Sequence, residues 1–120
     1  MNIAMKLSFA ALLGGVAGTS WSQEAPKGDA ANGQRIYIAA GCFTCHGRVG
    51  QGGNFNFATP PLASTQWPVE ALTAFLRVGL NDMPAFSKEV LSDQQVADIH
   101  AFLKALPGSR SPADFKLLNQ

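Results

Sequence analysis

The chain has 120 residues, enough for one small domain, with a formal net charge of +1 and 14% charged residues. That balance excludes the basic patch that nucleic-acid binding requires. With two cysteines and two histidines, any site built from thiols and imidazoles must draw on very few side chains.

Residues 1–22 read as a secretory signal peptide. Lys6 is the charge of the n-region, Leu7 to Ala17 form an apolar h-region, and Gly18 to Ser22 form a small-residue stretch. Ser20 and Ser22 take the A-x-A-like positions, with Trp21 breaking the pattern. The apolar run is shorter than the roughly 20 residues that cross a bilayer. Cleavage after Ser22 would export the remainder, in bacteria to the periplasm. Residues 23–28 are a polar lead-in around Pro26, expected to be flexible.

The domain proper is expected over residues 29–107. Asp29 is a plausible N-cap for a first helix over Ala30 to Ala40. Gly33 and Tyr37 are four apart and share a face. A glycine inside a helix costs about 1 kcal/mol relative to alanine, so Gly33 suggests the close approach of another element.

Cys42-Phe43-Thr44-Cys45-His46 is a C-x-x-C-H run, the attachment signature of c-type haem. Two thiols on one tight turn can each add to a haem vinyl group, and the adjoining His supplies an axial ligand from the same turn. The other readings of the motif are weaker. A thioredoxin-like C-x-x-C needs a βαβ setting, and nothing before Cys42 reads as a strand. A structural zinc site would need Cys42, Cys45, His46 and His100, every such side chain in the sequence. A disulfide between residues this close would form a small, strained ring.

Gly47 to Ser64 is a long loop with a glycine cluster and Pro60-Pro61. A structureless segment of this length argues against a compact domain unless it wraps something. Phe55, Phe57 and Leu62 are its candidate haem contacts. No acidic residue lies between Ala30 and Val69, whereas Arg35 and Arg48 do, so the haem neighbourhood is expected to be mildly positive. Arg48 and the Gly47 to Gly53 backbone are expected to frame an open haem edge.

Thr65 to Val78 reads as a helix beginning near Trp67-Pro68, with Leu72, Phe75 and Leu76 as its apolar stripe and Gly79 as its end. A second loop, Leu80 to Val90, carries Met83-Pro84-Ala85-Phe86. Ser92 with Gln95 matches a capping box. Val96, Ile99, Phe102, Leu103 and Leu106 form the apolar face of the helix that follows, which Pro107-Gly108 stops. Residues 108–120 form a tail with apolar Phe115, Leu117 and Leu118. The fold class is all-α, three to four helices with long loops and no strands.

An axial partner for His46 must come from elsewhere. Met83 is the methionine that remains once Met1 and Met5 leave with the signal peptide, and its thioether is a soft, neutral ligand that raises the potential. Pro84 stiffens that loop. His100 is the rival donor, on the last helix. His46 needs an acceptor for its second ring nitrogen, and a proline carbonyl in the wrapping loop suits, with Pro60 the better placed. Gln51, Trp67 and Arg77 are candidates for a propionate.

Together these residues resemble a class I c-type cytochrome. The resemblance rests on Gly33 and Tyr37, Cys42 through His46, Pro60-Pro61-Leu62, Met83-Pro84 and the Ile99, Phe102, Leu103 helix, in that order. It implies a cytochrome c fold around one covalent haem, with the first helix crossing the last. It also implies His46 and Met83 as axial ligands and Pro60 as the carbonyl that supports His46. Arg77 to Pro107 is similar, more narrowly, to cytochrome subunits of periplasmic dehydrogenases such as alkylphenol-hydroxylase flavocytochromes. The expected activity is one-electron transfer, with no bond chemistry. A dehydrogenase would be the donor and an oxidase or another cytochrome the acceptor, to a free carrier or a dedicated subunit. The competing class is a haem enzyme or gas sensor in which Met83 leaves the iron.

Overall fold

A computed structural model of the chain describes residues 25–54 and 58–118. Residues 1–22, Phe55 and Phe57 therefore lie outside the described residues, and with them the signal peptide and two expected haem contacts. Among the described residues the fold is mostly helical. Helix α1 spans Ala30–Ala39, α2 spans Cys42–His46, α3 spans Val69–Val78 and α4 spans Asp93–Ala105. Two single 3-10 turns, Pro112–Asp114 and Lys116–Leu118, follow in the tail.

The helix starts follow local chemistry. Asp29 caps α1, its carboxylate accepting from the N–H groups of Ala31 and Asn32 at 2.9 and 3.1 Å. Ser92 and Gln95 form a reciprocal capping box at the start of α4. Helix α3 starts next to the Trp67-Pro68 pair, as its sequence suggests, although Thr65 and Gln66 stay outside it. Pro68 is extended, at φ −66° and ψ 151°, and caps the helix, which begins at Val69. The proline ring also keeps the residue before it out of the helical region. A further departure is a small antiparallel pair where no strand was expected: β1, Gly53–Asn54, and β2, Ala58–Thr59. Two residues per strand are too few to show alternation in a sequence.

The core gathers Tyr37, Leu76, Leu91, Val96, Ile99, Phe102 and Leu103. Its largest interface is α1 on α4. Gly33 is the reason the two helices come so close, because a Cβ there would run into the Asp98 carbonyl. Beside it, the rings of Tyr37 and Phe102 lie 5.5 Å apart and tilted by 57°. Such a pair adds about 0.5–1.5 kcal/mol beyond the area it buries. The Tyr37 hydroxyl then donates to Gly47 O at 2.8 Å, tying this core to the residue after His46.

A polar latch closes the same interface. Asp98 is buried, 2% exposed, with no ion pair to it among the described residues. Its carboxylate accepts from the Asp29 N–H at 2.8 Å, Asn32 Nδ2 at 2.6 Å and Gln94 Nε2 at 2.9 Å. Gln94 also donates to Lys27 O, so the end of the polar lead-in is fastened to α4. Burial by itself pushes the Asp98 carboxyl up, but the three donors outweigh it and hold the group below its ordinary value.

Two variants test these links in the haem-loaded protein. Tyr37→Phe removes the bond to Gly47 and keeps the ring packing, so the unfolding free energy should fall by about 0.5–1.5 kcal/mol with the visible spectrum unchanged. Asp98→Asn should cost about 1–3 kcal/mol at neutral pH, since an amide turns a donor toward donors. A depressed carboxyl stabilises above the unfolded pKa, about 3.9 for Asp, and loses that contribution as pH falls through the folded value. The gap between wild type and Asp98→Asn in denaturant titrations should therefore narrow below about pH 4.

Candidate functional site

Helix α2 sets the geometry of the C-x-x-C-H run. Gly41 enters it at φ 78°, a left-handed conformation. On the single turn that follows, positions i, i+3 and i+4 share a face, so Cys42, Cys45 and His46 point the same way. Both thiols are free and half-buried. Burial pushes the Cys42 thiol up, the opposite of an activated redox nucleophile. Burial, together with the nearby Cys42 and Cys45 sulfurs, also pushes the Tyr37 phenol well above its ordinary value, so it stays a donor.

His46 is buried, and its Nδ1 lies 3.1 Å from Pro60 O. A carbonyl can only accept, so Nδ1 carries a proton, and in the neutral ring the lone pair is then on Nε2. The backbone holds the two ends of this bond in place. His46 O accepts from Gly52 N at 2.9 Å, and Gly50 O accepts from Leu62 N and Ala63 N at 2.7 and 2.9 Å. Ser64 N donates to Leu103 O at 2.8 Å, which anchors the loop on α4. The long loop is thus fixed by a few specific bonds on either side of Pro60.

Met83 is half-buried and packs against the core cluster, as do Cys42, Phe43, Leu62, Leu72 and Phe86. Phe86 N donates to Leu76 O at 2.8 Å, which brings the Met83 loop back onto α3. His100 is engaged elsewhere, its Nε2 donating to Trp67 O at 2.7 Å. Among the described residues, no group of three or more His, Cys, Asp and Glu side chains could hold a bare metal ion. A zinc site would need His100 as well, and His100 is engaged by Trp67 O. The donor set instead fits a haem: two thiols on one face of a turn, an imidazole with Nε2 available, a thioether, and apolar side chains packed on the same core.

The propionate candidates are less uniform. Gln51 turns its Oε1 to the Val49 N–H at 3.1 Å. Trp67 is 52% exposed and packs edge-on against Phe75. Arg77 uses Nη1 on Phe86 O and Nη2 on Asp93, while its buried Nε has no partner among the described residues. Arg48 lies over the Phe43 ring, 5.8 Å from its centroid, on the C-x-x-C-H turn. In the sequence alone Asp98 has no role and Arg77 is only a propionate candidate. The signal for Asp98 was an acid inside the apolar face of α4.

No helix among the described residues is long and apolar enough to cross a membrane. No curated protein matches the chain. The family described as cytochrome c oxidase, cbb3-type, subunit III matches residues 28–103, which takes in α1 through most of α4. With more than half of its length matched, the chain belongs to this family: it is a c-type cytochrome domain, with the covalent haem and the electron-transfer chemistry that membership implies.

Proposed function

We propose that this protein is an exported one-electron carrier in which His46 and Met83 hold the iron from opposite sides. The observation that carries the reading is the His46 to Pro60 bond, which fixes the tautomer and aims Nε2 from the face that bears both thiols. When bound, the haem supplies an iron that accepts and releases a single electron.

The chain's own residues do the rest. Cys42 and Cys45 anchor the group through thioether bonds. Pro60 O holds the His46 ring by its Nδ1 and limits its turning. Met83 offers a neutral, soft sulfur that favours the reduced metal and raises the potential. With His46 and Met83 both serving as ligands, substrate would have no place at the metal. Among the residues next to Met83 in the sequence, only Asp82 is an acid or base, so acid–base catalysis there lacks a partner. These points favour a carrier over a haem enzyme or gas sensor.

The signal-like pattern of residues 1–22 supports export to the periplasm, where c-type cytochromes usually reside. There a dehydrogenase would supply electrons, and an oxidase or another cytochrome would take them. The family description, which names an oxidase subunit, supports the acceptor side of that route. The resemblance of Arg77 to Pro107 to dehydrogenase cytochrome subunits supports the donor side.

Met83→Ala should keep haem attached, lower the midpoint potential, abolish the far-red charge-transfer band of Met-ligated ferric haem and open the ferrous iron to carbon monoxide. Ready carbon monoxide binding by the unaltered ferrous protein would overturn the carrier reading in favour of a sensor or enzyme. Cys42→Ala and Cys45→Ala should each reduce the yield of covalent haem in a pyridine haemochrome assay.

A further inference from the structure

The connection between α3 and α4 holds Met83 by little of its own. The Met83 N–H donates to Leu80 O at 3.1 Å, and Asn81 sits in the left-handed region at φ 54°. Pro84 has no N–H to give. Gly79 turns the chain out of α3 at φ 64°, in a conformation and a space that a side chain would not tolerate, since a Cβ would meet Ala85 N and Met83 O. The next fixed point is Phe86, where the chain returns to Leu76.

Arg77 grips that return. Its Nη1 donates to Phe86 O at 2.9 Å, with a longer contact of 3.4 Å to Ser87 O. Its Nη2 donates to Asp93 Oδ1 at 2.6 Å, from a side chain 19% exposed. Asp93 opens α4, and its other oxygen accepts from Lys88 Nζ at 2.8 Å. One guanidinium therefore joins the last turn of α3, the returning limb of the Met83 loop and the first turn of α4. An exposed ion pair would matter little. This one is partly shielded, and the planar fork reaches a carbonyl and a carboxylate at once.

We infer that Arg77 is the positioning residue for Met83: by locking Phe86 and Asp93 to α3, it limits how far the sulfur can leave the iron. This rests on the reading of Met83 as an axial ligand. A residue that served stability alone would change the unfolding midpoint and leave competition for the iron untouched.

Imidazole titration of the ferric holoprotein separates the two. Loss of the far-red charge-transfer band is followed at a temperature where each protein is folded. Arg77→Met should bind imidazole about tenfold more tightly than wild type, the size of one charge-assisted hydrogen bond. Arg77→Lys keeps the charge but cannot span Phe86 O and Asp93 together, so its affinity should fall between. Imidazole affinity equal to wild type in both variants overturns the inference. If Arg77→Met yields no holoprotein, Arg77→Lys decides by the same comparison: tighter binding supports the role, and equal binding overturns it. Survival of the band in Met83→Ala would overturn the ligand assignment instead, so the two failures are distinguishable.

Discussion

The rest of the structure depends on how Tyr37 is held. Its ring is fully buried against Phe102, and its hydroxyl reaches Gly47 O just beyond His46. The approach of α1 to α4 is thereby coupled to the position of the C-x-x-C-H turn. The coupling requires Gly33, because a larger residue there would hold the helices apart and draw Tyr37 away from both partners. A small domain has a limited apolar core of its own. Placing one side chain in the core and at the edge of the site makes the two structurally interdependent.

Outside the short β1–β2 pair, the loops are ordered by carbonyl groups rather than by sheet or helix. Pro60 O faces His46, Gly50 O takes two N–H groups from the same loop, Leu103 O takes Ser64, and Leu76 O takes Phe86. Each bond is modest, about 0.5–1.5 kcal/mol net. Their placement matters more than their sum, because they fall on either side of the residues proposed to meet the iron. Prolines reinforce the arrangement: Pro60 and Pro84 restrict φ beside the residues that must not drift. A rigid ligand environment suits a centre that is to change oxidation state without rearranging.

Charge is used sparingly and at helix ends. Asp98 lies against the start of α1, where the N–H groups of Asp29, Asn32 and Gln94 satisfy it without a counter-cation. The positive end of the helix dipole favours an anion at that point. Asp93 occupies the equivalent end of α4, where hydrogen bonds from Lys88 and Arg77 hold its carboxyl below the ordinary range. Both carboxylates join segments distant in sequence. The first closes the α1–α4 interface and the second closes the Met83 loop.

Most of what could be read in the sequence was local, the His46 to Pro60 pairing being an exception. The C-x-x-C-H spacing, the Asp29 cap, the Ser92–Gln95 box and the apolar faces of α3 and α4 are properties of neighbouring residues, and short-range sterics and hydrogen bonding decide them. Gly33 with Tyr37 carried one long-range hint, since a glycine on a helix face has little purpose unless another element approaches it. The two-residue strands were not legible, because they leave no periodic signal. The use of Asp98, the engagement of His100 by Trp67 O and the clamp made by Arg77 belong to the tertiary structure alone. Each depends on which donors and acceptors folding brings together, and no property of the residue itself distinguishes a buried latch from a solvated surface charge.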